Sequence, residues 1–138
     1  MPTARGIMTP GTECVGADDS VLEAARKLTS LGVGALPICG ADDKLTGVLT
    51  DRDIVTKVLG EGKDPGTTKA GDLAQGRAVT IGADDDADEV FATMARHRVR
   101  RLPVIDGHRL VGMITLADVA RALPDPQTGD LLEALSTN

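Results

Sequence analysis

The chain has 138 residues, 41% of them hydrophobic and 26% charged, with a formal net charge of -6, one Phe and neither Trp nor Tyr. That length suffices for one domain or two small ones, with a core of Val, Leu, Ile, Ala and Met. The acidic balance and the near-absence of aromatic rings exclude nucleic acid, whose binding needs concentrated positive charge or rings to stack on bases; no stretch approaches the roughly 18 apolar residues of a membrane span and Met1 to Thr12 lacks a signal-peptide core, so no membrane partner and a cytoplasmic location are expected.

Taken in chain order, Cys14 comes first; it and Cys39 are too few for a secreted disulfide scaffold or a four-cysteine zinc site. Ser20 with Glu23 three residues on predicts a capping box, and behind it Val21, Ala24, Ala25, Leu28 and Leu31 keep helical spacing for an inward face. Leu36 to Cys39 and Leu45 to Thr50 read as a hairpin across Gly40 to Lys44. Ile54, Val55, Val58 and Leu59 make an apolar stripe on a second helix, after which Gly60 to Gly71, with Pro65, reads as a linker. The order then repeats. Asp86 with Glu89 caps a helix carrying Ala87, Val90, Phe91, Met94 and His97; Leu102 to Ile105 and Arg109 to Thr115 form a hairpin turning at Asp106-Gly107; Val119, Ala120 and Leu123 stripe the last helix. Pro124 and Pro126 stop it, and Leu131, Leu132 and Leu135 fit one face of a short terminal helix.

The repetition extends to the letters. Gly16-Ala17-Asp18-Asp19 recurs as Gly82-Ala83-Asp84-Asp85, and Val33 to Ile38 as Val99 to Val104, both 66 positions on, whereas Leu45 to Thr50 recurs as Leu110 to Thr115 after 65, one residue having been lost in the turn. Two copies of a strand, helix, strand, strand, helix unit are expected: an α+β fold divided as 1–60, a linker 61–71, a second copy 72–123 and a tail 124–138.

The runs Gly34 to Ile38 and Gly47-Val48-Leu49-Thr50-Asp51-Arg52-Asp53-Ile54, with their echoes, resemble paired CBS domains, the Bateman module, over about residues 7 to 123. The resemblance implies a stand-alone, dimeric regulatory module with two sheets facing across a pseudo-twofold axis and clefts between the repeats, acting on an effector protein. In members that bind adenosyl ligands, Ser or Thr followed three residues later by Asp lies where the last strand meets the second helix. Thr50 with Asp53 and Thr115 with Asp118 match, which implies AMP, ADP or ATP as ligand, and an ionised Asp suits a vicinal diol. The resemblance further implies contacts to the base from backbone near Pro37 and Ile38 and near Pro103 and Val104. Thr-x-x-Asp also caps a helix with no ligand at all, and spacing alone leaves the two readings even. Of Arg98, Arg100 and Arg101, two read as a solvated edge and Arg100 as a phosphate contact; because Arg100 and Arg101 replace Gly34 and Ala35, the two sites cannot be chemically equivalent.

Cys14 and Cys39 each lie at or beside a strand of the first copy. The resemblance, closest to a stress-related stand-alone member around Ile7-Met8, Cys14 to Gly16 and Gly34 to Gly40, supports a redox-sensitive bridge; two buried thiols are the alternative. The histidines, His97 and His108, have no zinc-site spacing, so no metal is expected. No nucleophile elbow, phosphate-cradling loop or metalloprotease motif occurs, and Asp18-Asp19 and Asp84-Asp85-Asp86 sit at helix starts, so no enzyme is expected. The functional expectation is an adenosine-nucleotide sensor, with a ligand-free interaction dimer as the alternative.

Overall fold

A computed structural model describes residues 2–11, 13–74 and 78–122. The expected terminal helix and Leu123 lie outside the described residues. In chain order the elements are helix α1 (Ala4–Ile7), strand β1 (Thr9–Pro10), β2 (Val15–Gly16), α2 (Val21–Leu31), β3 (Ala35–Cys39), β4 (Leu45–Thr50), α3 (Asp51–Ile54) running into a π-helical stretch Val55–Leu59, a 3-10 turn Ala70–Leu73, β5 (Ile81–Gly82), α4 (Ala87–His97), β6 (Arg101–Asp106), β7 (Arg109–Thr115) and α5 (Leu116–Ala122). The strand, helix, strand, strand, helix order thus occurs twice.

Two compact units carry these elements, Glu13–Ala78 and Met1–Thr12 together with Val79–Asn138. In the first, β3 lies between a parallel β2 and an antiparallel β4. Leu36, Ile38 and Leu49 pack under Val21, Ala24 and Leu28 of α2, with Ile54 and Val58 closing the core. In the second, the order is β1-β7-β6-β5, and Leu102, Val104 and Ile114 pack against Val90 and Met94 of α4 and Val119 of α5. Each fully buried Leu, Ile or Val of this kind contributes about 1.5–3 kcal/mol of transfer free energy. The hairpins keep the same irregularity in register, at Ile38/Cys39 and at Val104/Ile105.

The helix stripes are narrower than their spacing suggests. Leu31 is 43% exposed, Phe91 is half-buried and His97 is exposed. Ile54 and Val58 are buried, but Val55 and Leu59 are 57% and 55% exposed, since residues four apart share a helix face and their immediate neighbours do not. The caps at Ser20 and Asp86 accept from Glu23 N and Glu89 N at 3.1 and 3.0 Å. The reciprocal halves of those boxes give way to other pairings: Glu23 turns to Arg26 at 2.7 Å, and Glu89 to Thr93 at 3.4 Å and Arg96 at 3.9 Å.

The largest departure concerns the division of the chain. The stretch 61–71, expected as a linker, is folded into the first unit, where Val21 N donates to Thr68 O (2.8 Å), Ala70 N to Asp19 O (2.7 Å) and Gly71 N to Ala17 O (2.9 Å). The N-terminal residues do the same for the second unit: Ala87 N donates to Pro2 O (2.9 Å), Ala4 N to Asp85 O (2.7 Å) and Arg5 N to Ala83 O (2.9 Å). Every donor and acceptor of one set is 66 positions from its counterpart in the other. Each unit is therefore closed by the segment that precedes the other unit's strands, and Ala4 and Ala70, both fully buried, fill equivalent places. Residues 2–11, placed by sequence in the first copy, pack with the second. The reason lies at two glycines: a Cβ on Gly47 would stand 2.7 Å from Ala74 Cβ, and one on Gly112 2.6 Å from Met8 Sδ, so the bare strand surface admits the closing segment.

Candidate functional site

Thr50 ends β4 in extended conformation and caps α3. Its Oγ1 accepts from Asp53 N at 3.0 Å, and Asp53 Oδ2 accepts from Thr50 N at 3.0 Å, a complete capping box. The other carboxylate oxygen, Oδ1, is 3.0 Å from Lys57 Nζ one turn on. In the second repeat, Asp118 Oδ2 accepts from Thr115 N at 2.9 Å, Thr115 Oγ1 accepts from Asp118 N at 3.3 Å, and Asp118 Oδ1 accepts from Arg121. The same geometry is thus built twice, with Asp118 itself only 8% exposed.

The Thr-x-x-Asp pairs consequently do the capping work that their spacing permits. A carboxylate oxygen has two lone pairs, so each Oδ2 can accept one further hydrogen bond, and among the described residues each Oδ1 is shared with one cation. The ribose-binding chemistry remains compatible with the cap, at the cost of competing with Lys57 or Arg121.

The other candidates fall into three groups. Ile38 and Val104 are fully buried members of the two cores and Pro37 and Pro103 are buried beside them, so their side chains serve packing and only backbone is left to meet a ligand. Arg100 is exposed and Arg101 half-buried; Arg101 lies opposite Thr115 in the β6–β7 register. Cys14 and Cys39 are bonded in the structure, with Cα atoms 5.7 Å apart; Cys14 immediately precedes β2, and Cys39 ends β3, the strand parallel to it; Lys27 Nζ donates to Cys14 O at 2.7 Å.

Sequence reasoning missed Lys57 and Arg121 as partners of the carboxylates. Their positions four and three residues beyond each Asp, on the same helix face, were the available signal. Asp19 and Asp85 accept from Gly16 N and Gly82 N, both at 2.9 Å, so these acidic residues hold turns. Among the described residues no three His, Cys, Asp or Glu side chains gather as a metal-binding group, and no helix is long and apolar enough to cross a membrane.

Known proteins share this arrangement. The CBS domain family model matches residues 4–60 and 70–125. Hypoxic response protein 1 of Mycobacterium tuberculosis is 47% identical over 135 residues, covering 98% of this chain and 94% of that protein. A crystal structure of Hypoxic Response Protein I with two coordinated zinc ions superimposes with a TM-score of 0.83 at 50% identity, over 89% of this chain and 100% of the other. The structure of CBSX2 in complex with AMP does so with a TM-score of 0.75 at 25% identity, over 88% and 96%. With both repeats matched and both hairpin-and-cap geometries present, the chain belongs to the CBS domain family.

Proposed function

We propose that this chain is a cytoplasmic CBS-pair regulatory module, without catalysis of its own, that binds an adenosine-type nucleotide such as AMP, ADP or ATP at its Thr-x-x-Asp pairs. Occupancy would be passed on through a homodimer or an effector protein, by favouring one conformation over another. The observation that carries the reading is the repeated lock on a carboxylate: Asp53 and Asp118 are each fixed by a two-way box, which holds an acceptor in one place for a ribose diol at little further cost in side-chain entropy. The AMP complex of the similar CBSX2 adds support.

Thermal unfolding with AMP, ADP and ATP tests it. A ligand at 100 times its dissociation constant adds about 2.7 kcal/mol, and Asp53→Ala or Asp118→Ala should abolish that increment at its own site. Each substitution also removes half of a capping box, lowering the unliganded stability by about 1 kcal/mol, so the increment is read against each variant's own baseline. The same melting temperature with and without every nucleotide would sink the reading.

A second reading, a ligand-free, stress-related dimer, is favoured by the exposed Val55 and Leu59 and by the cysteine bridge. Light scattering on the eluting protein should give twice the chain mass, reduced to a monomer by Val55→Glu with Leu59→Glu; a monomeric wild type would end it. Alkylation should leave both cysteines unmodified until a reductant is added. Zinc belongs to the relative's structure, and the described residues here offer no set that fits it within one chain.

A further inference from the structure

The stretch 60–71, rich in glycine and lysine, takes no part in the Thr-x-x-Asp boxes, yet it is folded. With the end of the preceding helix it walls a cavity of about 540 Å³ in the first unit, within the roughly 300–1,000 Å³ of small-molecule sites. Backbone fixes both sides. On one, the helix after Ile54 relaxes into a π turn closed by Gly60 N on Val55 O at 2.7 Å, and Lys63 N reaches back to Val58 O at 2.9 Å; wide turns of this kind are frequent at functional positions. On the other, Thr68 N donates to Asp64 O at 3.0 Å and Thr68 O accepts from Val21 N at 2.8 Å, ahead of the 3-10 turn Ala70–Leu73, whose buried Leu73 also lines the cavity.

The charged side chains of the lining are Lys57 and Lys63 against Glu61 and Asp72. An anion would therefore meet two carboxylates, and a cation two ammonium groups. Lys63 faces Glu61 across 3.4 Å with both side chains more than half exposed, a pair that contributes little in water. Asp72 makes no side-chain hydrogen bond or ion pair among the described residues. A molecule with one charge of each sign suits this lining, its ammonium against Asp72 and its carboxylate on the lysines. Lys57 is the lining residue that also touches the candidate nucleotide site: its ammonium, with three donors, stands 3.0 Å from Asp53 Oδ1.

We propose that this cavity is a second ligand site, for a free amino acid bound as its zwitterion, and that Lys57 links it to the nucleotide site of the first repeat. The carboxylate of the occupant draws the ammonium from Asp53 and leaves Oδ1 to a ribose hydroxyl, so that each ligand tightens the other. The amino-acid site stands on the cavity alone, whereas the link rests on the nucleotide reading above.

Thermal melts of the whole chain with each of the standard amino acids find the occupant. Calorimetric titration then compares it with its N-acetyl and methyl-ester derivatives, which delete the ammonium and the carboxylate charge in turn and test the unaltered protein. Each derivative should bind at least about tenfold more weakly than its parent, the size expected of a charge-assisted hydrogen bond. Asp72→Asn and Lys63→Met, both at exposed positions, should weaken the amino acid by as much; melts without ligand check that they fold. No binding by any amino acid, or a derivative that binds as well as its parent, overturns the proposal while the nucleotide reading stands. Saturating amino acid should tighten AMP at least about fivefold, the lower end of usual coupling between sites, in the wild type and not in Lys57→Met. AMP affinity indifferent to the amino acid overturns the link. Amino-acid binding by a chain that ignores AMP, ADP and ATP keeps the cavity site and removes the nucleotide reading.

Discussion

Gly112→Val should destabilise the unit formed by the N-terminal segment and the second repeat by about 3 kcal/mol, the upper end of what forced overpacking costs. A Cβ there would meet Met8 Sδ at 2.6 Å and the Thr9 carbonyl oxygen at 2.7 Å. The thioether can swing away, but the carbonyl belongs to β1, which pairs Thr9 with Met113 and Pro10 with Gly112, so relief requires the segment to leave the sheet and uncover buried Ala4. Urea unfolding should show the midpoint lowered by at least about 1 M, given slopes of about 1–3 kcal/mol per M for small proteins. Gly47→Val, 2.7 Å from Ala74 Cβ and 3.2 Å from Ala74 Cα, should weaken the other unit in the same way. A Gly112→Val protein as stable as wild type would mean that the closing segment is not held against the strand.

Loss of the Cys14–Cys39 bridge should cost a similar amount. The cysteines are 25 positions apart, and closing a loop of that length in the unfolded chain corresponds to about 3.5 kcal/mol in the chain-entropy model. For a chain of this size that is roughly 10 °C of melting temperature. Reductant should therefore lower the wild-type transition and leave that of Cys14→Ser with Cys39→Ser, already lowered, where it is. An identical melt with and without reductant would show that the thiols are unpaired in solution. Cys39 is 7% exposed, whereas Cys14 is half-buried, so an attacking thiolate reaches Cys14 sulfur more readily and leaves Cys39 as the departing thiol.

The repeated order of elements was legible because hairpins and caps write themselves into side chains. Leu36 to Ile38 and Leu102 to Val104 alternate with turns, and Thr50-x-x-Asp53 and Thr115-x-x-Asp118 name both partners of each box. The boundaries were not legible because the closing segments are held by backbone. Pro2-Thr3-Ala4-Arg5 and Thr68-Lys69-Ala70-Gly71 share one residue, the buried alanine, yet make matching hydrogen bonds. A glycine-rich, lysine-rich stretch such as 60–71 has the composition of a linker whether or not its carbonyls are engaged. Gly47 and Gly112 were the unread signal, since a glycine recurring in the middle of equivalent strands marks a close approach by other backbone. Among the site residues, Ile38 and Val104 stand in the motif with their side chains turned into the cores, which leaves their backbone as the part that the resemblance offers to a ligand.

The exchange of closing segments also sets an order of events during synthesis. Residues 13–78 contain everything their unit needs and can close once they have emerged. Residues 2–11 must instead wait for β7 and α5, about a hundred residues later, which at ribosomal rates of about 5–20 residues per second is a delay of about 5–20 s. Through that interval Ile7 and Met8 are apolar residues with no sheet to join, and residues made before either repeat are among the last to reach their place.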